Sequence, residues 1–163
     1  MIKMESVLII YDSRFGNTEK IAKALAEGMK EQGVKVDCSK VDRVDVNKLS
    51  GYDLLAIGGP THIHSVSKPM RVFLEELRSV DVKGKKAFAF DTRVESWWAG
   101  SAGKRIQKRL GRLRMSIVKP HFSTIVTGRE GPLEEGMEEC LNKSEWRFQN
   151  QFSEPIEGDD SWE

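Results

Sequence analysis

The chain is poor in the residues that carry most recognisable site chemistry. Among 163 residues there are two cysteines, Cys38 and Cys140, three histidines and five prolines. The cysteines stand far apart with no metal-ligand spacing around them, which excludes a disulfide framework or a zinc module and suits a reduced, cytoplasmic protein. There is no Ser-His-Asp or Cys-His grouping and no carboxylate pair to suggest hydrolysis. No apolar run approaches membrane-spanning length, and "MIKMESVLII" has no cleavage-type segment, so neither a span nor a signal peptide is expected. The formal net charge is only +1, so no bulk field points to nucleic acid or to a membrane surface.

The charge is uneven nonetheless. "KRIQKRLGRLR" (104–114) holds six bases and no acid, whereas Glu130 to Glu163 holds eleven acids against Lys143 and Arg147. Two readings compete: a solvated helix face with an acidic tail, or a docking surface for an acidic partner protein.

Apolar runs alternate with helical patterns. "SVLIIYD" (6–12), "VKVDCSK" (34–40), "DLLAIGG" (53–59) and "KKAFAFD" (85–91) read as strands, and "MSIV" with "FSTIV" as a strand broken at Pro120. Residues 18–33 place Ile21, Leu25 and Met29 on one helical face that ends at Gly33. "VDVNKLSGY" (44–52) reads as a short helix or turn. Residues 69–78 carry Met70, Phe73, Leu74 and Leu77, 101–113 carry Ile106, Leu110 and Leu113, and 132–152 carry Leu133, Met137, Leu141, Phe148 and Phe152. The pattern predicts one domain over 1–152 with a frayed acidic tail, 153–163. It predicts an α/β sheet covered on both faces by right-handed crossovers. Ligands on such sheets bind beyond the carboxyl ends of the strands, so loops 13–18, 59–68 and 91–100 belong together.

"SRFGNT" (13–18) offers the hydroxyls of Ser13 and Thr18, a glycine for close backbone approach and a helix start, which are the parts of a phosphate site. A Walker loop needs lysine where Asn17 stands, and a dinucleotide fingerprint needs two further glycines. A terminal monophosphate held by N–H dipoles remains, with Arg14 as an optional charge. A capped helix without ligand remains open as well. "GGPTHIHSVSKP" (58–69) leaves its strand through two glycines, has no acid and offers His62 and His64 to a planar ring. "DTRVESWWAGSAG" (91–103) carries Trp97 and Trp98, of which one can pack inward and one can wall a ligand.

Together these loops resemble the flavodoxin family through about residue 141. "SRFGNT" is similar to its FMN-phosphate loop, "GGPTH" to its second loop and "DTRVESWWAG" to its third; "VTGREGPLEEG" also resembles flavodoxin sequence. The resemblance implies a three-layer α/β/α sandwich with a five-stranded parallel sheet of order 2-1-3-4-5 and FMN at the strand ends. It implies one- or two-electron transfer between redox partner proteins. By position, Ser13, Arg14, Phe15, Gly16, Asn17 and Thr18 would bind the phosphate. Pro60, Thr61, His62 and Ile63 would meet the ring, His62 where many flavodoxins have a stacking tryptophan. Asp91, Thr92 and Arg93 would line the ring edge through backbone groups. The second stacking residue falls near Val94 or Glu95 without a gap; a short shift brings it to Trp97, the better ring partner chemically.

Three departures stand out. Many small flavodoxins are strongly acidic, and this chain is neutral with a basic helix. Many have a glycine in the second loop whose peptide flips to stabilise the one-electron-reduced flavin. "THIHSVS" has none, and a positive φ is costly at Ile63, so more two-electron character is expected. "MEECLNKSEWRFQNQF" loses the family look beyond Leu141. Two alternatives to a carrier are an FMN-dependent NAD(P)H or quinone reductase, which needs room over the ring, and a flavin-free interaction module.

Overall fold

The computed structural model describes residues 5–61, 65–94 and 100–126. In chain order these form β1 (Ser6–Tyr11), α1 (Asn17–Glu31), β2 (Lys35–Lys40), β3 (Leu54–Pro60), α2 (Lys68–Glu76), β4 (Lys86–Val94), α3 (Ala102–Arg112), β5 (Ser116–Ile117) and β6 (Phe122–Val126). The helix expected over 132–152, the tail 153–163 and the end of the domain at 152 lie outside the described residues. The segment expected as a short helix or turn at 44–52 is a 3-10 turn over Val46–Gly51.

The sheet is parallel, in the order β2-β1-β3-β4, and its fifth position is shared by two pieces. β5 pairs with Lys86–Ala87 of β4, and β6 pairs with Phe90–Val94. The order expected from sequence therefore stands. The break falls around Pro120, which has no N–H to give to a ladder. β2 is the edge strand, and half of its residues are exposed, in line with the more exposed strand expected there.

The apolar runs are apolar on both faces because both faces are covered. Val7, Ile9, Leu54, Ala56, Phe88 and Phe90 point to one side, where Ile21, Leu25 and Met29 of α1 lie almost fully buried. Leu8, Ile10, Leu55, Ile57, Ala87 and Ala89 point to the other. There they meet Met70, Phe73 and Leu74 of α2 and Ile106 and Leu110 of α3. Each buried Val, Leu, Ile, Phe or Met side chain among them contributes about 1.5–3 kcal/mol. α1 ends where the Val34 N–H reaches the Met29 carbonyl and the Gly33 N–H the Lys30 carbonyl, with Gly33 at φ 82°. This layering places the N-termini of α1, α2 and α3 at the same sheet edge, beyond the carboxyl ends of β1, β3 and β4.

Candidate functional site

The first loop leaves β1 with the Asp12 N–H bonded to the Gly58 carbonyl at 3.0 Å. The Ser13 hydroxyl accepts the Gly16 N–H at 3.1 Å, which closes a tight turn. Gly16 has φ 90° and stands at the N-cap of α1, where it has no side chain to cap with. A Cβ at Gly16 would meet nothing within 4 Å, so the glycine is required by its φ rather than by crowding. The alternative of a Ser/Thr-capped helix without ligand put a hydroxyl residue at the cap; the N-cap position is held by Gly16 instead. No acid lies between Ser13 and Thr18, and Arg14 sits over the Phe15 ring at 5.2 Å.

Thr18, expected to turn its hydroxyl toward a phosphate, is 1% exposed, and its Oγ1 lies 2.8 Å from Thr92 Oγ1. Only one of the two hydroxyls donates in that pair, which leaves the accepting one with a proton to give. The contact ties the first loop to β4.

The second and third loops meet at a buried carboxyl group. Asp91 is 0% exposed. Its Oδ2 accepts from Ser101 Oγ at 2.7 Å, the Gly103 N–H at 2.9 Å and Thr61 Oγ1 at 3.1 Å. Thr61 Oγ1 in turn accepts the Ala102 N–H at 2.9 Å, and the Thr61 N–H reaches the Thr92 carbonyl at 2.9 Å. Ser101 Oγ accepts the Lys104 N–H and so caps α3. Oδ1 of Asp91 and Nε of Arg93 are buried without a hydrogen-bond partner among the described residues.

Asp91, Thr92 and Arg93, read from sequence as the start of a loop, belong to β4. Asp91 and Thr92 pair with Gly59 and Pro60 of β3, and all three pair with Ser123 to Ile125 of β6. The strand runs on because β6 supplies it with a partner. The tandem glycines also divide their duties: a Cβ at Gly58 would come within 2.2 Å of the Phe90 ring, which stacks on Phe122 at 5.7 Å. Gly58 is there to admit a phenylalanine. His62, Ile63, His64, Trp97 and Trp98 lie outside the described residues.

Sequence reasoning missed Ser101 and His121. Ser101 was legible as a hydroxyl just before a helical run. The His121 N–H donates to Gln107 Oε1 at 2.6 Å. Burial pushes its imidazole below the ordinary 6.5; the Asp91 carboxyl pulls it up, and Lys104 and Arg93 push it down. No local signal joins residue 121 to residue 91; only the β4–β6 pairing does.

The Flavodoxin family model matches residues 9–143. The chain belongs to the flavodoxin family. A flavodoxin of Aquifex aeolicus (strain VF5) is 36% identical over 101 residues, covering 60% of this chain and 54% of that protein. An NAD(P)H dehydrogenase (quinone) of Caulobacter vibrioides (strain NA1000 / CB15N) is 28% identical over 145 residues, covering 77% and 71%. Oxidised Flavodoxin 2 from Bacillus cereus matches in structure with a TM-score of 0.73 at 23% identity, over 84% of this chain and 92% of that one; this is a likeness of fold. The chain spans about half the length of the curated flavodoxins it matches.

Flavodoxins bind FMN and work with redox partner proteins. The phosphate end of FMN fits this site: the loop 13–18 is free of acid, a helix begins directly after it, and Gly16 at the N-cap holds the φ that turns the backbone there. Among the described residues no helix is long and apolar enough to cross a membrane, and no group of three or more His, Cys, Asp or Glu could hold a metal ion.

Proposed function

We propose that this flavodoxin is a cytoplasmic electron carrier that holds FMN and moves one or two electrons between redox partners. The observation that carries the reading is the acid-free start of α1 at Gly16, tied through Thr18 and Thr92 to the end of β4. The cofactor supplies the redox chemistry, and the protein supplies position and electrostatics. Ser13, Arg14, Phe15, Gly16, Asn17 and Thr18 would hold the phosphate. Pro60, Thr61, His62, Ile63 and Trp97 would meet the ring, and Asp91, Thr92 and Arg93 would line its edge.

A second reading is favoured by the similarity to NAD(P)H dehydrogenases (quinone): direct reduction by NAD(P)H at the same flavin. Two measurements decide. The purified chain is expected to be yellow and to release FMN on denaturation; a colourless chain that takes up no added FMN makes it a flavin-free interaction module. NAD(P)H oxidised without a partner reductase would replace the carrier by the reductase. The basic segment 104–114 is proposed to dock an acidic redox partner, so electron transfer to it should slow with added salt.

A further inference from the structure

α2 and α3 lie on the same sheet face, and a groove of about 770 Å³ runs between them. Its walls carry Lys68, Arg71, Arg105, Lys108, Arg109 and Arg112 against only Glu75 and Glu76. Glu75 is already shared between Arg109 across the groove and Arg78 in the 3-10 turn that follows α2. Lys68, Arg71, Arg105, Lys108 and Arg112 make no ion pair among the described residues. Unpaired like charges facing one groove repel one another and attract an anion. The groove is also apolar in part: it includes Val66 and Leu74. It also includes Val72, which is 50% exposed and, with Phe15, one of two large apolar side chains so exposed among the described residues. A simple anion would use the cations but not the valine. The complement is a segment with several acids, no base and an apolar anchor.

The chain contains such a segment. Residues 153–163, "SEPIEGDDSWE", hold Glu154, Glu157, Asp159, Asp160 and Glu163, no lysine or arginine, and the apolar Ile156 and Trp162. The 27 residues between Val126 and Glu154 span roughly 40 Å even if every one were helical. A domain of this length is of similar diameter, with a radius of gyration of about 15 Å. The tether is therefore long enough, and it holds the segment at an effective concentration on the order of millimolar.

We propose that the α2/α3 groove is a docking site for the chain's own acidic C-terminal segment, with its acids on the groove cations and Trp162 against Val72. Docking there covers Arg105, Lys108 and Arg112, which lie in the basic segment assigned above to an acidic partner. The tail then competes with that partner and sets how much of the basic face is open to it. This consequence rests on the carrier reading; the docking itself does not.

The test needs no flavin and no partner. In the full chain with Cys38→Ser and Cys140→Ser, the pair Glu76→Cys and Ser161→Cys, which keeps Val72 and Trp162, is oxidised beside a control pair, Lys20→Cys and Ser161→Cys, on the exposed side of α1. The expected result is an intramolecular disulfide forming about tenfold faster for the groove pair. That preference should vanish near 1 M salt, where charges are screened within about 3 Å. Equal rates overturn the proposal, and a disulfide between two chains assigns the groove to a second copy instead. A second measurement avoids substitutions in the fold: acetylation of Lys68 and Lys108 relative to Lys20 in the full chain, followed by mass. Glu157→Gln, Asp159→Asn and Asp160→Asn together should expose both lysines several-fold. Lysines that stay protected in that variant are covered by something else, and the proposal fails. The outcome is the same whether or not the chain binds FMN, so failure here and failure of the carrier reading are distinguishable.

Discussion

Three helices begin at the same sheet edge, and they begin in two different ways. Ser67 caps α2 and Ser101 caps α3, each hydroxyl accepting a backbone N–H of the first turn. α1 begins at Gly16, which has no side chain to cap with. At α3 the local donors are satisfied internally: Gly103, Ser101 and Thr61 all converge on Asp91 Oδ2. At α1 the cap position is a glycine in an acid-free turn. The first arrangement is scaffold and the second has the form of an anion site, although both sit at the ends of neighbouring strands. The difference teaches that donors used up at α3 hold the second and third loops in place beside the turn at Gly16.

The harshest way to break this comparison is Asp91→Ala. It leaves three donors in a buried place without an acceptor, and the expected loss is about 3–5 kcal/mol in denaturant unfolding. Asp91→Asn keeps an acceptor oxygen and should cost less. If Asp91→Ala left stability unchanged and only weakened FMN, the carboxyl group would belong to the ligand and the contrast with α1 would collapse. Gly58→Ala tests the sheet beneath. Its Cβ would meet the Phe90 ring, and overpacking of this kind costs about 1–3 kcal/mol. Gly16→Ala should cost about 1–2 kcal/mol through its left-handed φ, with open space around it. FMN affinity, read by flavin fluorescence, should fall by more than that strain explains, because the turn that aims the N–H groups must distort. A loss in stability with FMN affinity intact would reduce Gly16 to a turn residue.

Much of the frame was legible in the sequence, and the reason is periodicity. Ile21, Leu25 and Met29 stand four apart and are buried together; "LLAIGG" is apolar on both faces because the sheet is covered on both. Even the broken fifth strand was signalled by Pro120. What escaped is what depends on partners distant in sequence. The extent of β4 depends on β6, some thirty residues on, so Asp91 to Arg93 looked like a loop. The contact of Thr18 with Thr92 was hidden because nothing near Thr18 in sequence reveals it. Gly58 looked like loop chemistry because its cause is a phenylalanine on the neighbouring strand. Short-range patterns reveal faces and caps, whereas a buried polar node is a fact about topology.

The mildest perturbation probes the scaffold side by pH. His121 joins that side from the residue before β6, its backbone N–H bonded to Gln107 of α3 and its ring in the field of Asp91, Lys104 and Arg93. Burial, first of all, holds its imidazole below 6.5 in the folded chain, so the unfolded chain binds the proton more readily. Linkage then fixes the sign. The folded state has its full advantage above about 6.5 and loses it as pH falls through the lower folded value. Unfolding midpoints in urea should accordingly decline from neutral pH toward pH 5, with part of that slope absent in His121→Gln, which cannot titrate. The shift is expected to be a fraction of that caused by Asp91→Ala. An unchanged slope would mean that the protonated ring finds solvent or Asp91 at no cost. The histidine would then lie on the open side of the comparison, with the Gly16 turn, rather than on the closed side with Asp91.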